Sequence, residues 1–132
     1  MSLNPIHAQI TASIVDAAVQ LHRDLGPGML ESAYEVLLAD ELLRRGHAVV
    51  RQQAIRVRHR GRVLDKAFRV DLLVDEVVIV EIKCSERRSP LHRRQLLTYM
   101  RLSQRRVGLV LNFGLETMKA GIDRVVNDRQ AP

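Results

Sequence analysis

Val70-Asp71-Leu72-Leu73-Val74, Asp75-Glu76, and Val77-Val78-Ile79-Val80-Glu81-Ile82-Lys83-Cys84 form the stretch that decides the fold. Both flanks are rich in Val, Ile and Leu, as strands require, and an acidic pair separates them. Side chains alternate faces along a strand, so Glu81 and Lys83 share one face. Val78, Val80, Ile82 and Cys84 share the other, which reads as core. A carboxylate and an ammonium on an otherwise aliphatic strand mean either a solvated, salt-bridged face or a site. Asp71 strengthens the second reading, because it too interrupts an apolar run.

Whether Asp71 and Glu81 meet depends on parity. A two-residue turn at Asp75-Glu76 would oppose Asp71 to Val80 and send the two carboxylates to opposite faces. A three-residue loop at Asp75-Glu76-Val77, or a bulge, brings Asp71 opposite Glu81. Two adjacent carboxylates keep both charges only with a cation between them. Oxygen donors without His or Cys select a hard ion, Mg²⁺ or Mn²⁺. Lys83 beside that ion places a positive donor where an attacked phosphate would sit, a trio suited to metal-assisted phosphodiester hydrolysis. The site reading therefore requires an odd connection.

Outward from this stretch, a helix is expected from Asn4 to Asp24, with Asn4 as cap and Pro5 in the first turn. Leu25-Gly26-Pro27-Gly28 breaks it, and a second helix runs from about Met29 to Arg45, ended by Gly46. On its helical wheel Glu31 falls between Leu38 and Leu42, inside the apolar stripe, and offers a third carboxylate. Glu41 falls there too, and a helix start favours an acid in any case. Ile55, Val57 and His59 alternate with Arg56, Arg58 and Arg60, and Gly61 marks a turn. Strands are expected over residues 63–74 and 77–84. Ser89-Pro90 opens a helix lasting to about Gln104. Residues 107–113, almost wholly apolar, read as a strand buried on both faces. Ile122 to Val126 fits an edge strand or a helical turn equally. The order α-α-β-β-β-α-β describes a single α/β domain over residues 1–132, in which a helix crosses from the third strand to the fourth.

Composition narrows the function classes. The chain of 132 residues has a formal charge of +6. Residues 51–70 carry seven basic groups and one acid, residues 83–106 carry eight and one, and residues 71–82 between them carry four acids and no base. Basic blocks around an acidic one suit an anionic partner, nucleic acid above all, or simply a soluble surface. Cys84 is the one cysteine, which removes disulfide scaffolds and zinc ribbons. No apolar run is long enough to span a membrane, and the N-terminus lacks the pattern of a secretion signal, so a cytoplasmic protein is expected. Arg94, Arg101 and Arg105 fall on one stripe of the crossover helix. A solvated face and a phosphate-backbone track both account for them. Tyr34, Phe68, Tyr99 and Phe113 are the only aromatics, too few for a base-stacking platform. Cys84 reads as a small buried hydrophobe, and His92 as the one histidine near the site.

Gly28-Met29-Leu30-Glu31-Ser32-Ala33-Tyr34 resembles the G-x-x-E-x-x-Y motif of the bacterial GxxExxY-type proteins, a branch of the PD-(D/E)XK nuclease superfamily. Val70-Asp71 with Val80-Glu81-Ile82-Lys83 resembles that superfamily's core motif, with valine where its name has proline. Ser89-Pro90-Leu91-His92 and Gln95-Leu96-Leu97-Thr98-Tyr99 are similar to the helix that follows, and Val110 to Gly114 to the last core strand. The likeness spans about residues 9–126. It implies a restriction-endonuclease-like α-β-β-β-α-β core with an added N-terminal helix and a mixed sheet flanked by helices. By that resemblance Asp71, Glu81 and the Ile82 carbonyl bind metal, Glu31 contributes, Lys83 is catalytic, and Gln95 and Tyr99 support the site. The expected function is Mg²⁺- or Mn²⁺-dependent hydrolysis of DNA in preference to RNA. One site cuts one strand, so duplex cleavage by analogy calls for a homodimer. The alternatives are an inactive nucleic-acid-binding protein of the same fold and a protein-interaction module.

Overall fold

The computed structural model describes residues 4–128. Asn4 caps the first helix, α1 (Pro5–Leu25), by accepting the His7 amide at 2.9 Å, and Gly26 ends it at φ 69°. The second helix, α2 (Glu31–Arg44), starts two residues later than its apolar pattern suggested. Gly28, at φ 123°, carries the chain through a turn that Met29 cannot join as helix, and extended Leu30 becomes the cap.

β1 (Val49–His59) and β2 (Arg62–Val74) form a long antiparallel hairpin turned at Arg60 and Gly61, both at positive φ. β3 (Val78–Lys83) returns antiparallel to β2. A crossover helix, α3 (Pro90–Ser103), then leads to β4 (Val107–Asn112), which lies parallel to β3. Ser89 caps α3 by accepting the Leu91 amide at 3.3 Å, and Gln104 ends it in the left-handed region. Ile122–Val126 resolves as a strand, β5, paired antiparallel with β4. The result is a five-stranded mixed sheet in the order β1-β2-β3-β4-β5, with helices on both faces.

Each face has its own core. Leu72, Val74, Val78, Val80, Ile82, Leu109 and Leu111 pack with Ile14, Tyr34, Leu38 and Leu42 of α1 and α2. Ile55, Val70, Leu73, Ile79 and Val110 pack with Leu96 and Met100 of α3. Every residue of β4 is buried, as its unbroken apolar run demanded. At about 1.5–3 kcal/mol for each large aliphatic side chain buried, these two layers dominate stability.

Asn112, the polar member of β4, accepts the amides of Ser85 and Gly114, both at 3.0 Å. A Cβ on Gly114 would stand 2.5 Å from the Ser85 carbonyl oxygen, so only glycine lets the loop after β3 lie this close. The segment leaving the Glu81–Lys83 strand is thereby fixed to the end of β4. Among the described residues no helix is long and apolar enough to cross a membrane.

Candidate active site

The connection from β2 to β3 is three residues, Asp75-Glu76-Val77, with Val74 paired to Val78 and Leu72 to Val80. Asp75 and Glu76 both adopt positive φ, and Val77 N–H closes the turn onto the Val74 carbonyl at 3.0 Å. Beyond Leu72↔Val80 the ladder gives way to side-chain contacts that bring Asp71 beside Glu81. Two hydrogen bonds lock the pair: the Asp71 amide donates to Glu81 Oε1 at 3.3 Å, and the Ile82 amide donates to Asp71 Oδ2 at 2.7 Å. The odd loop that the site reading required is the loop the chain makes.

Electrostatics at the pair is unfavourable as it stands. Burial and the neighbouring Asp71 charge push the Glu81 carboxyl up to about 7, against partial relief from the Asp71 N–H and the Lys83 ammonium. Glu31 adds to the push on Glu81, which places the first turn of α2 within electrostatic range of the site. The Gly28–Tyr34 segment explains how it gets there. Tyr34 is fully buried, stacks on Phe113 at 4.4 Å, donates its hydroxyl to the Gly26 carbonyl and accepts the Met29 amide at 3.3 Å. The tyrosine clamps the glycine turn, and the turn sets where Glu31 begins its helix.

Lys83 is half-buried two residues beyond Glu81, on the face opposite the Ile82 core. His92, in the first turn of α3, is held below its ordinary range by burial and by Lys83, and feels Glu31 as well. Asp71 and Glu81 are in direct contact, and Lys83, Glu31 and His92 lie within electrostatic range of one another around them. Gln95 is exposed on α3, and Tyr99 is half-buried with its ring stacked on Phe68 at 4.1 Å. Cys84 packs beside the Ile82 core, and burial raises its thiol above the usual range, as suits a residue that is no nucleophile.

Arg94 and Arg101 are exposed on α3, and Arg101 borders a cleft of about 350 Å³ with Arg56, Arg58 and His59. Arg105 leaves the expected stripe. The helix stops at Ser103, and the Arg105 guanidinium donates through Nη1 to the Glu76 carbonyl. Glu41 does not face a site at all, since Arg44 and Arg45 hold it at 3.0 and 3.2 Å.

Sequence reasoning passed over Glu35 and Gln52. Glu35 is 5% exposed, yet it is bound by Arg51 and by Gln52, whose amide also reaches Asp71. Its signal in the sequence was only an acid beside Tyr34 in an amphipathic helix.

A family model described as the PD-(D/E)XK nuclease superfamily matches residues 8–125. The chain belongs to this superfamily. No curated protein and no solved structure gives a match. The mixed five-stranded sheet with its crossover helix agrees with a restriction-endonuclease-like PD-(D/E)XK fold, and the superfamily's nucleases generally use divalent metal ions. The donor set fits such an ion. Asp71 and Glu81 supply hard oxygens, and the Asp71 N–H and Lys83 offset only part of what burial and the Asp71 charge do to Glu81. Among the described residues no three His, Cys, Asp or Glu side chains gather into a ready cluster. A small cation that retains several waters needs only one or two carboxylates.

Proposed function

We infer that this PD-(D/E)XK chain hydrolyses DNA phosphodiesters with Mg²⁺ or Mn²⁺ held by Asp71 and Glu81. The observation that carries the reading is the three-residue β2–β3 connection, which opposes two carboxylates in mid-sheet. A bound divalent cation supplies a water of lowered pKa and shields phosphate charge. The rest is the work of the chain. Asp71 has one lone pair on each oxygen engaged and one free, so it can ligate without losing its orientation. Glu81 provides the facing oxygens, with the Ile82 carbonyl as a further ligand and Glu31 as the acid approaching from α2.

Lys83 holds the scissile phosphate and offsets the charge that develops in the transition state. Gln95 and Tyr99, one turn apart on α3, take supporting roles by the resemblance to the superfamily. Arg94 and Arg101 bind the backbone of the nucleic acid, joined at the cleft by Arg56 and Arg58. Arg105, spent on the Glu76 carbonyl, contributes through the fold. Cleavage of both strands requires a second copy of the chain, in a homodimer.

The test is incubation of plasmid, single-stranded DNA and RNA with Mg²⁺ or Mn²⁺, using wild type, Asp71→Ala and Lys83→Ala. Wild type cleaves DNA, and each variant loses about a hundredfold or more. Equal activity in the variants would expose a contaminant. Binding with a steep salt dependence but no cleavage would make this a nucleic-acid-binding member of the fold. Binding to no nucleic acid would leave a protein-interaction module.

A further inference from the structure

We propose that Gln52 is the residue that positions Asp71, and that buried Glu35, gripped by the exposed Arg51, holds Gln52 in place for this purpose; the proposal rests on the metal-site reading above. Gln52 stands across the sheet from Asp71, between the paired positions Arg51↔Leu72 and Gln53↔Val70. It adopts φ 52° inside β1, a left-handed conformation that a strand residue avoids unless its surroundings enforce it.

The enforcing contacts are visible. Gln52 Nε2 donates to Glu35 Oε1 at 2.7 Å and to Asp71 Oδ1 at 3.2 Å. One amide nitrogen carries two hydrogens, so it serves both carboxylates at once, and two acceptors leave no doubt which end of the amide faces them. Glu35 cannot drift, because Arg51 grips its other oxygen through Nε at 3.1 Å and Nη2 at 3.0 Å.

Burying an acid on α2 for its own sake brings little, since desolvating the carboxylate offsets much of what the exposed Arg51 returns. Its use lies in what it orients. Asp71 then has Oδ1 fixed by Gln52 and Oδ2 fixed by the Ile82 amide, from opposite sides. The carboxylate is presented to Glu81 in one rotamer before any ion arrives. Side chains that orient metal ligands in this way typically matter 10–100-fold in metal affinity.

Gln52→Gly separates positioning from folding, because glycine accepts the left-handed backbone freely and lacks only the amide. Titration calorimetry with Mn²⁺ is read beside thermal unfolding of the metal-free chain. The expected result is a Kd weakened about 10–100-fold with the midpoint lowered only modestly, because relief of the left-handed backbone offsets part of the hydrogen bond that Glu35 loses. Glu35→Met weakens Mn²⁺ binding similarly, and the double variant adds little to either, as members of one chain of contacts should. Wild type that binds Mn²⁺ while Gln52→Gly binds equally well overturns the positioning role and leaves the metal site standing. Wild type that binds no Mn²⁺ overturns the metal site and the positioning role with it. Fully additive losses would also overturn the coupling of Glu35 through Gln52.

Discussion

Two aspartates four residues apart on the β2–β3 hairpin meet opposite treatment. Asp75, in the turn, has each oxygen matched to a donor: Oδ1 accepts the Ala48 amide at 2.8 Å, and Oδ2 lies 2.6 Å from His47 Nδ1. The other ring nitrogen of His47 lies 2.8 Å from Ser13 Oγ, so the group ties α1 to the hairpin. Asp71 is held by donors too, but it confronts a second carboxylate, and its charge helps push the Glu81 carboxyl up. A carboxylate whose charge is answered by the fold is a fastening. One whose charge the fold concentrates is prepared for a partner from outside.

Removing charge should therefore have opposite signs at the two places. The largest effect concerns Glu81 in the metal-free chain. Its folded pKa of about 7 lies above the ordinary 4.5, so the folded state holds a proton that the unfolded state releases. Stability is then fully present below about pH 4.5 and declines as pH rises towards 7, by roughly 3 kcal/mol in all. Urea unfolding in chelator from pH 5 to 8 should show this slope in wild type and not in Glu81→Gln, which becomes the more stable protein at pH 8. Parallel slopes would mean that the pair carries no such strain.

Asp75→Ala should act the other way at pH 8, costing about 1–2 kcal/mol because the Ala48 amide and His47 lose their acceptor. Its Mn²⁺ affinity should stay within about twofold of wild type, since its role is local. A large loss of metal binding would erase the distinction between the two aspartates. Ser13→Ala, at the far end of the same contacts, should cost least, about 0.5–1 kcal/mol by the same unfolding measurement.

Alternation left an even and an odd β2–β3 connection open, and only the metal-site reading committed to the odd one. Requiring Asp71 and Glu81 to meet demanded an odd loop, and the register supplies one. Helix starts at Asn4 and Ser89 were legible from capping chemistry, which is local. Glu35 was not, because what makes its burial tolerable comes from Arg51 and Gln52 on another element. Arg105 misled for a related reason. A stripe extrapolated along a helix fails beyond its last residue, and Gln104 turns the chain before Arg105. The ambiguity of residues 122–126 was real, since five residues have too little pattern of their own and pairing with β4 decides them.

β1 is an outer strand of the sheet, and an outer strand ordinarily offers its open row of amides and carbonyls to any passing extended chain. Here the row is spoiled twice. Gln52 turns the backbone left-handed near its middle, and exposed Arg51, Arg56 and Arg58 set like charges along it. The residue that braces the carboxylate thus also keeps the hairpin from recruiting a sixth strand, so a replacement there has an aggregation propensity to be measured as well as an affinity.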